Sequence, residues 1–207
     1  RRIFQTRLHL AKKVTKELGP VDGLINVAGI IQPFVRVNNL ELDAVDRVMA
    51  VNFIGPMNLI KAFLPGLLER EQASLVNVSS MGSYAPVPGQ TVYGASKAAL
   101  NLLSEGLRNE LRETNVQVTV VYPGAIGTNI AGNSGLDMPA QDSDAPQRST
   151  VAPADAATAI IEAMAEGKKR VVIGSDAKTM WWANRLNPDT AANMIYQGMK
   201  DLLPPAR

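Results

Sequence analysis

Four short runs of apolar, largely β-branched residues punctuate the chain, at residues 21–27, 74–79, 116–122 and 170–174. They are too continuous in their apolar character for half-exposed strands, and they read as strands buried on both faces. Between them, apolar positions recur every three to four residues, which predicts helices near residues 40–71, 92–114 and 154–166. The helical pattern begins at the first residues, with Phe4, Leu8, Ala11, Val14 and Leu18 on one face before Gly19-Pro20 stops it. Residues 178–203 are also helical in pattern, divided by Pro188. Strands alternating with helices of this length predict an α/β fold: a doubly wound parallel sheet with helices on both faces, in one domain spanning residues 1–207.

In such sheets ligands bind at the carboxyl ends of the strands. The segments that leave those ends are Asn26-Val27-Ala28-Gly29, Ser79-Ser80-Met81-Gly82 and Pro123-Gly124-Ala125-Ile126-Gly127-Thr128. They are small, polar and glycine-rich, as a ligand mouth requires. Residues 129–150 shift to Gly, Asn, Asp, Ser, Gln and Pro, the composition of a mobile, structureless substrate lid. Residues 175–207 form a C-terminal helical extension.

Composition narrows the function. The 207 residues are 46% apolar and 19% charged, a globular balance. A net charge of +2 is too small for binding nucleic acid by phosphate neutralisation. There is no cysteine and one histidine, His9, which excludes disulfides, thiolate metal sites, a cysteine nucleophile and a multi-histidine metal centre. His9 falls on a polar helix face and reads as a surface residue. No uninterrupted apolar run approaches the roughly 18 residues of a membrane span. No apolar signal core follows Arg1-Arg2, and a cysteine-free chain fits a cytoplasmic setting.

Tyr93 and Lys97 stand four apart at the head of a predicted helix, so both side chains share one face. A phenol with a reference pKa near 10 is a poor acid–base group at neutral pH. A neighbouring ammonium lowers that value and makes the pair a tunable proton donor and acceptor. Ser80 ends the second predicted strand, where a hydroxyl faces the ligand mouth, although a serine there also serves as a plain turn residue. Asn52 lies four residues before Pro56, which has no N–H to bond the Asn52 carbonyl, so a kink is expected that leaves this carbonyl free.

Together, Asn26-Val27-Ala28-Gly29, Asn52 within Val51-Asn52-Phe53, Asn77-Val78-Ser79-Ser80, Tyr93-Gly94-Ala95-Ser96-Lys97 and Pro123-Gly124 resemble, in order and spacing, the motif series of the short-chain dehydrogenase/reductase family. The resemblance runs from about Leu8 to Gly174 and implies a Rossmann-like fold in the compact branch of that family. The family's serine usually precedes its tyrosine by about a dozen residues, which selects Ser80 over Ser79. The resemblance implies hydride transfer between NAD(P)(H), with NADP(H) slightly favoured, and a secondary alcohol or ketone. Tyr93 would be the general acid/base and Ser80 would hold the substrate oxygen. Lys97 would lower the tyrosine pKa and bond the nicotinamide ribose, and the Asn52 carbonyl would hold a proton-relaying water. Asn26, Ala28 and Gly29 would lie on the adenosine side, while Pro123, Gly124, Ile126 and Thr128 would seat the nicotinamide. A homodimer or homotetramer is implied, with Ala98, Ala99, Leu102 and Leu103 at its seam.

The chain departs from the family in lacking its opening strand and glycine-rich phosphate turn, and in having Val27 where the family has a second Asn. The resemblance therefore implies residues ahead of Arg1 in the complete molecule, because the run at 21–27 would otherwise be a raw sheet edge. The competing reading is a non-catalytic nucleotide-sensing or scaffold relative. A sugar-nucleotide epimerase shares the Tyr-Lys pair but needs a substantial C-terminal domain, and only 33 residues follow Gly174. Trp181-Trp182 reads as core or subunit contact, with roofing of an apolar substrate pocket as the alternative.

Overall fold

The computed structural model describes residues 2–136 and 150–203. Four strands, β1 (Gly23–Asn26), β2 (Ala73–Val78), β3 (Val116–Pro123) and β4 (Arg170–Ile173), form a parallel sheet in the order β1-β2-β3-β4. Every pairing is parallel, and Asn26 lies opposite Asn77. Each parallel neighbour is reached through a helical crossover, as parallel pairing demands. β1 stands at one edge, pairing with β2 alone among the described residues.

Alternation along β2 and β3 divides the core into two. On one face Leu75 and Val118 pack with Ile60 and Leu67 of α3 (Gly55–Leu68) and with Leu107 of α4 (Thr91–Glu110). On the other, Val76, Val78 and Val121 pack with Ala156 and Ile160 of α6 (Pro153–Ala165). This is the doubly wound arrangement expected from the strand–helix alternation. β2 is buried at all six positions, which explains why its sequence shows no polar alternation.

The first helix, α1 (Arg2–Leu18), packs against α3. Ala11 is buried, but Leu18, expected on the same buried face, is 83% exposed at the last turn. The predicted helix near residues 40–71 is one continuous run of three parts: α2 (Leu42–Met49), a π-helical turn at Ala50–Ile54, and α3. Pro56 therefore causes a change of register and not a simple kink. The Gly55 N–H reaches back to the Ala50 carbonyl, and Pro56 sits in the first turn of α3, where its missing N–H costs nothing. The 27 residues Leu42–Leu68 are by length and composition apolar enough to cross a membrane, a result that counting uninterrupted apolar residues does not give. In the fold this run packs on β1, β2, α1 and α4.

The expected lid begins with a short helix, α5 (Ile130–Asn133), and is therefore not structureless throughout; its residues 137–149 lie outside the described residues. The C-terminal extension forms α7 (Ser175–Leu186) and α8 (Pro188–Met199), divided at Pro188. Met180 of α7 and Ala191 and Ile195 of α8 pack over Met81, Tyr84, Ala85 and Val87. Trp181 meets Tyr84 edge to face and Tyr122 at a tilt, with the Arg185 guanidinium 3.3 Å from its ring centre, whereas Trp182 is 63% exposed. The two tryptophans thus have different surroundings. His9 is exposed.

Candidate active site

Parallel strands that end together deliver their following segments to one rim. Asn26 is the last residue of β1, Ser79 and Ser80 follow β2, and Pro123 closes β3. The helix α4, lying behind β2 and β3, carries Tyr93 and Lys97 into the same region. Ser80 adopts an extended conformation and caps a short turn at Met81–Ser83, its hydroxyl accepting the Gly82 N–H at 3.0 Å. The same hydroxyl and the Tyr93 ring both border Gly82, where a Cβ would lie 3.4 Å from Ser80 Oγ and 3.3 Å from Tyr93 Cε1. Ser79 turns the other way and donates to the Lys97 carbonyl at 2.9 Å, so it fastens α4 to the sheet.

Lys97 is 3% exposed, and its ammonium donates to the Val78 carbonyl at 3.1 Å. Burial lowers its pKa from 10.5 to about 8. Tyr93 moves in the opposite direction to the sequence-based expectation. Burial raises its pKa, and the neighbouring Ser80 hydroxyl offsets this only in part. The Lys97 ammonium, itself desolvated and engaged with the end of β2, does not reverse the shift. Gly29 passes so close to Lys97 that a Cβ there would lie 3.0 Å from the Nζ atom.

Asn52, fully buried within the π-helical turn, uses its side chain for more than the carbonyl role expected of it. Its Oδ1 accepts the Ile30 N–H at 2.9 Å, and its Nδ2 donates to the Ile30 carbonyl at 2.9 Å and to Ser96 Oγ at 3.0 Å. Ser96 in turn donates to the Tyr93 carbonyl at 2.7 Å. Asn52 thereby ties the segment after β1 to the helix that carries Tyr93. Beneath this segment, Asn26 Nδ2 donates to Asn77 Oδ1 and Asn77 Nδ2 donates to Ser104 Oγ, both at 2.8 Å. Asn26 Oδ1 is buried without a hydrogen-bond partner among the described residues.

The remaining predicted positions line the rim. Ala28 is exposed, Gly124 and Ile126 are half-buried, and Thr128 is exposed. Ile126 pairs with Val151 in an isolated bridge. Sequence reasoning missed Asp176. In the first turn of α7, its carboxylate accepts the Ala125 N–H at 2.7 Å and occupies the space that a Cβ on Gly124 would need. An acid in a helix's first turn was visible in the sequence, but nothing local says that it clasps a loop 51 residues earlier. Gln32 was missed as well: it is fully buried, with its Oε1 at the first turn of α4.

Comparisons with known proteins agree with this fold. A model described as short chain dehydrogenase matches residues 4–139. Dehydrogenase/reductase SDR family member 7B of Mus musculus is 34% identical over 167 residues, covering 79% of this chain and 51% of the mouse protein. The putative oxidoreductase SadH of Mycobacterium tuberculosis is 32% identical over 210 residues, covering 95% of this chain and 74% of that protein. A short chain dehydrogenase from Burkholderia cenocepacia J2315, solved in complex with NADP, superposes with a TM-score of 0.77 at 25% identity, covering 93% of this chain and 74% of its own. The chain thus spans about half the length of the mouse relative and about three quarters of the two bacterial ones. With fold, motif order and sequence all converging, the chain belongs to the short-chain dehydrogenase family.

Proposed function

We propose that this chain carries the catalytic centre of an NAD(P)(H)-dependent oxidoreductase that interconverts a secondary alcohol and a ketone. The observation that carries the reading is the convergence of Ser80 and Tyr93 beside Gly82 at the carboxyl edge of the sheet, with buried Lys97 one helical turn beyond them. A bound nicotinamide supplies or accepts the hydride. Tyr93 gives its proton to the substrate oxygen in reduction and takes it back in oxidation; its burial keeps the phenol protonated, ready to act as an acid. Ser80 donates a second hydrogen bond to that oxygen, fixing it and stabilising the charge that develops there. Lys97, with one N–H engaged at Val78, has two more to offer: it bonds the cofactor ribose and favours the phenolate once the proton has left. The Asn52 carbonyl holds a water that returns protons to Lys97.

The residues present fit such a cofactor. Gly29 has no Cβ to crowd the Lys97 ammonium, and Asn26 supplies a buried acceptor still without a partner among the described residues. Asn26, Ala28 and Gly29 hold the adenosine side, while Pro123, Gly124, Ile126 and Thr128 hold the nicotinamide, with NADP(H) only slightly favoured over NAD(H). Assembly as a homodimer or homotetramer is supported by Leu102, 74% exposed beside Ala98 and Ala99 on α4.

The test is nicotinamide absorbance with NADH or NADPH against a panel of ketones, and with the oxidised cofactors against secondary alcohols. Tyr93→Phe is expected to cut kcat at least about 100-fold. Unchanged turnover in that variant refutes the mechanism, and absence of turnover with every pair favours the nucleotide-sensing alternative.

A further inference from the structure

A helix that presents a working side chain in its first turn has a mechanical problem. The first N–H groups of a helix have no intrahelical acceptor, and an uncapped first turn frays. Tyr93 is the third residue of α4, within that turn. The residue ahead of the helix, Gln90, makes no side-chain cap bond. Its Nε2 instead reaches across the fold and donates to the Gln32 main-chain carbonyl at 2.7 Å. In exchange, Gln32 Oε1 accepts the N–H groups of Val92 at 2.8 Å and of Tyr93 itself at 3.0 Å. These are the second and third helical positions, the donors that a local cap normally satisfies. The exchange is the reciprocal logic of a capping box, carried out between residues 58 positions apart in sequence.

Gln32 is 0% exposed and Gln90 3% exposed, so water does not compete for these bonds. Gln32 also ends the run in which Gly29 lies against Lys97 and Ile30 is clasped by Asn52. One short stretch of backbone therefore meets both ends of the Tyr93–Lys97 pair.

We propose that Gln32 is a positioning residue for Tyr93: as a long-range cap it holds the first turn of α4, and with it the phenol, in register with Ser80. The functional consequence rests on the catalytic reading above, whereas the capping role does not. Gln32 Nε2 has no hydrogen-bond partner among the described residues, so only the oxygen is needed. This makes Gln32→Glu a rescue variant, because its carboxyl, held neutral by burial, keeps a carbonyl acceptor at that position. Gln32→Leu removes the acceptor at similar volume.

The first readout is amide hydrogen exchange at Val92 and Tyr93 in the full chain, with the Tyr93 titration followed by NMR of carbon-labelled tyrosine. In Gln32→Leu, exchange at these two amides should accelerate at least tenfold and the Tyr93 midpoint should fall towards 10 as the phenol becomes hydrated. Gln32→Glu should restore slow exchange. Val116→Ala, a core substitution at the far end of the sheet, should lower Tm without either effect. In turnover, Gln32→Leu should lose at least tenfold in kcat while the KM for cofactor changes less than twofold. Unchanged exchange at Val92 and Tyr93 in Gln32→Leu overturns the proposal, as does acceleration spread evenly over all of α4. If Gln32→Leu does not fold, Gln90→Leu removes only the bond to the Gln32 carbonyl and should give the same local acceleration in weaker form; its absence is equally fatal. Normal turnover in Tyr93→Phe would overturn the catalytic reading and leave the exchange result standing.

Discussion

Lys97 is a buried cation with a single neutral partner among the described residues. The Val78 carbonyl accepts one of its protons, and the fall of its pKa to about 8 has burial as its cause. The protein therefore carries a cost at neutral pH that replacing this residue removes. A change from 10.5 to about 8 corresponds to about 3 kcal/mol favouring the neutral form. Lys97→Met keeps most of the side-chain volume and removes the charge, but leaves the Val78 carbonyl without its donor, which costs about 1 kcal/mol. The variant is expected to be more stable than the parent by about 2 kcal/mol at pH 7, and catalytically dead. The pH dependence supplies a sharper signature. Between pH 8 and 10 the native parent has released a proton that its unfolded chain still holds, so its stability rises with pH by about 1.4 kcal/mol per unit. Above pH 10 the slope reverses, because Tyr93, Tyr84 and Tyr122, all raised by burial, keep protons that the unfolded chain loses. Lys97→Met should lack the rise between 8 and 10. Urea unfolding followed by Trp181 and Trp182 fluorescence measures both quantities. A variant less stable than the parent at pH 7, with the parent's slope through that window, would refute the reasoning.

Two further substitutions probe the supports of the site. Asn52→Leu orphans the half-buried Ile30 N–H and carbonyl and removes the buried donor to Ser96; a loss of about 2–4 kcal/mol is expected in urea unfolding, against less than half of that for Ser96→Ala. Asp176→Ala frees the Ala125 N–H and loosens the turn at Pro123-Gly124, so a loss of about 1–2 kcal/mol is expected together with weaker nicotinamide-nucleotide binding by calorimetry; tighter binding would contradict its role as a clasp.

What the sequence determined by itself was local and periodic. The β-branched runs of β2 and β3, the three-to-four spacing of the helices, and Tyr93 with Lys97 one turn apart were all legible, because each depends on residues within a turn or a pleat of one another. The ordered motifs extended that legibility to the family and to the rim of the site. Only the tertiary structure decided how the site is held. Ser79 and Ser80 are neighbours, yet one locks α4 to the sheet and the other meets Tyr93, because successive residues leaving a strand face opposite ways. The π-helical register at Asn52, the Asp176 clasp and the Gln32 cap join segments 22 to 61 residues apart. The Tyr93 pKa rises although its lysine neighbour predicted a fall, since sequence spacing reports who is adjacent and not how much water is excluded. Periodicity encodes which face an element buries. Which distant backbone amide a buried side chain must satisfy is set only once the layers close, when a backbone N–H shut away from water has to find its acceptor inside the fold.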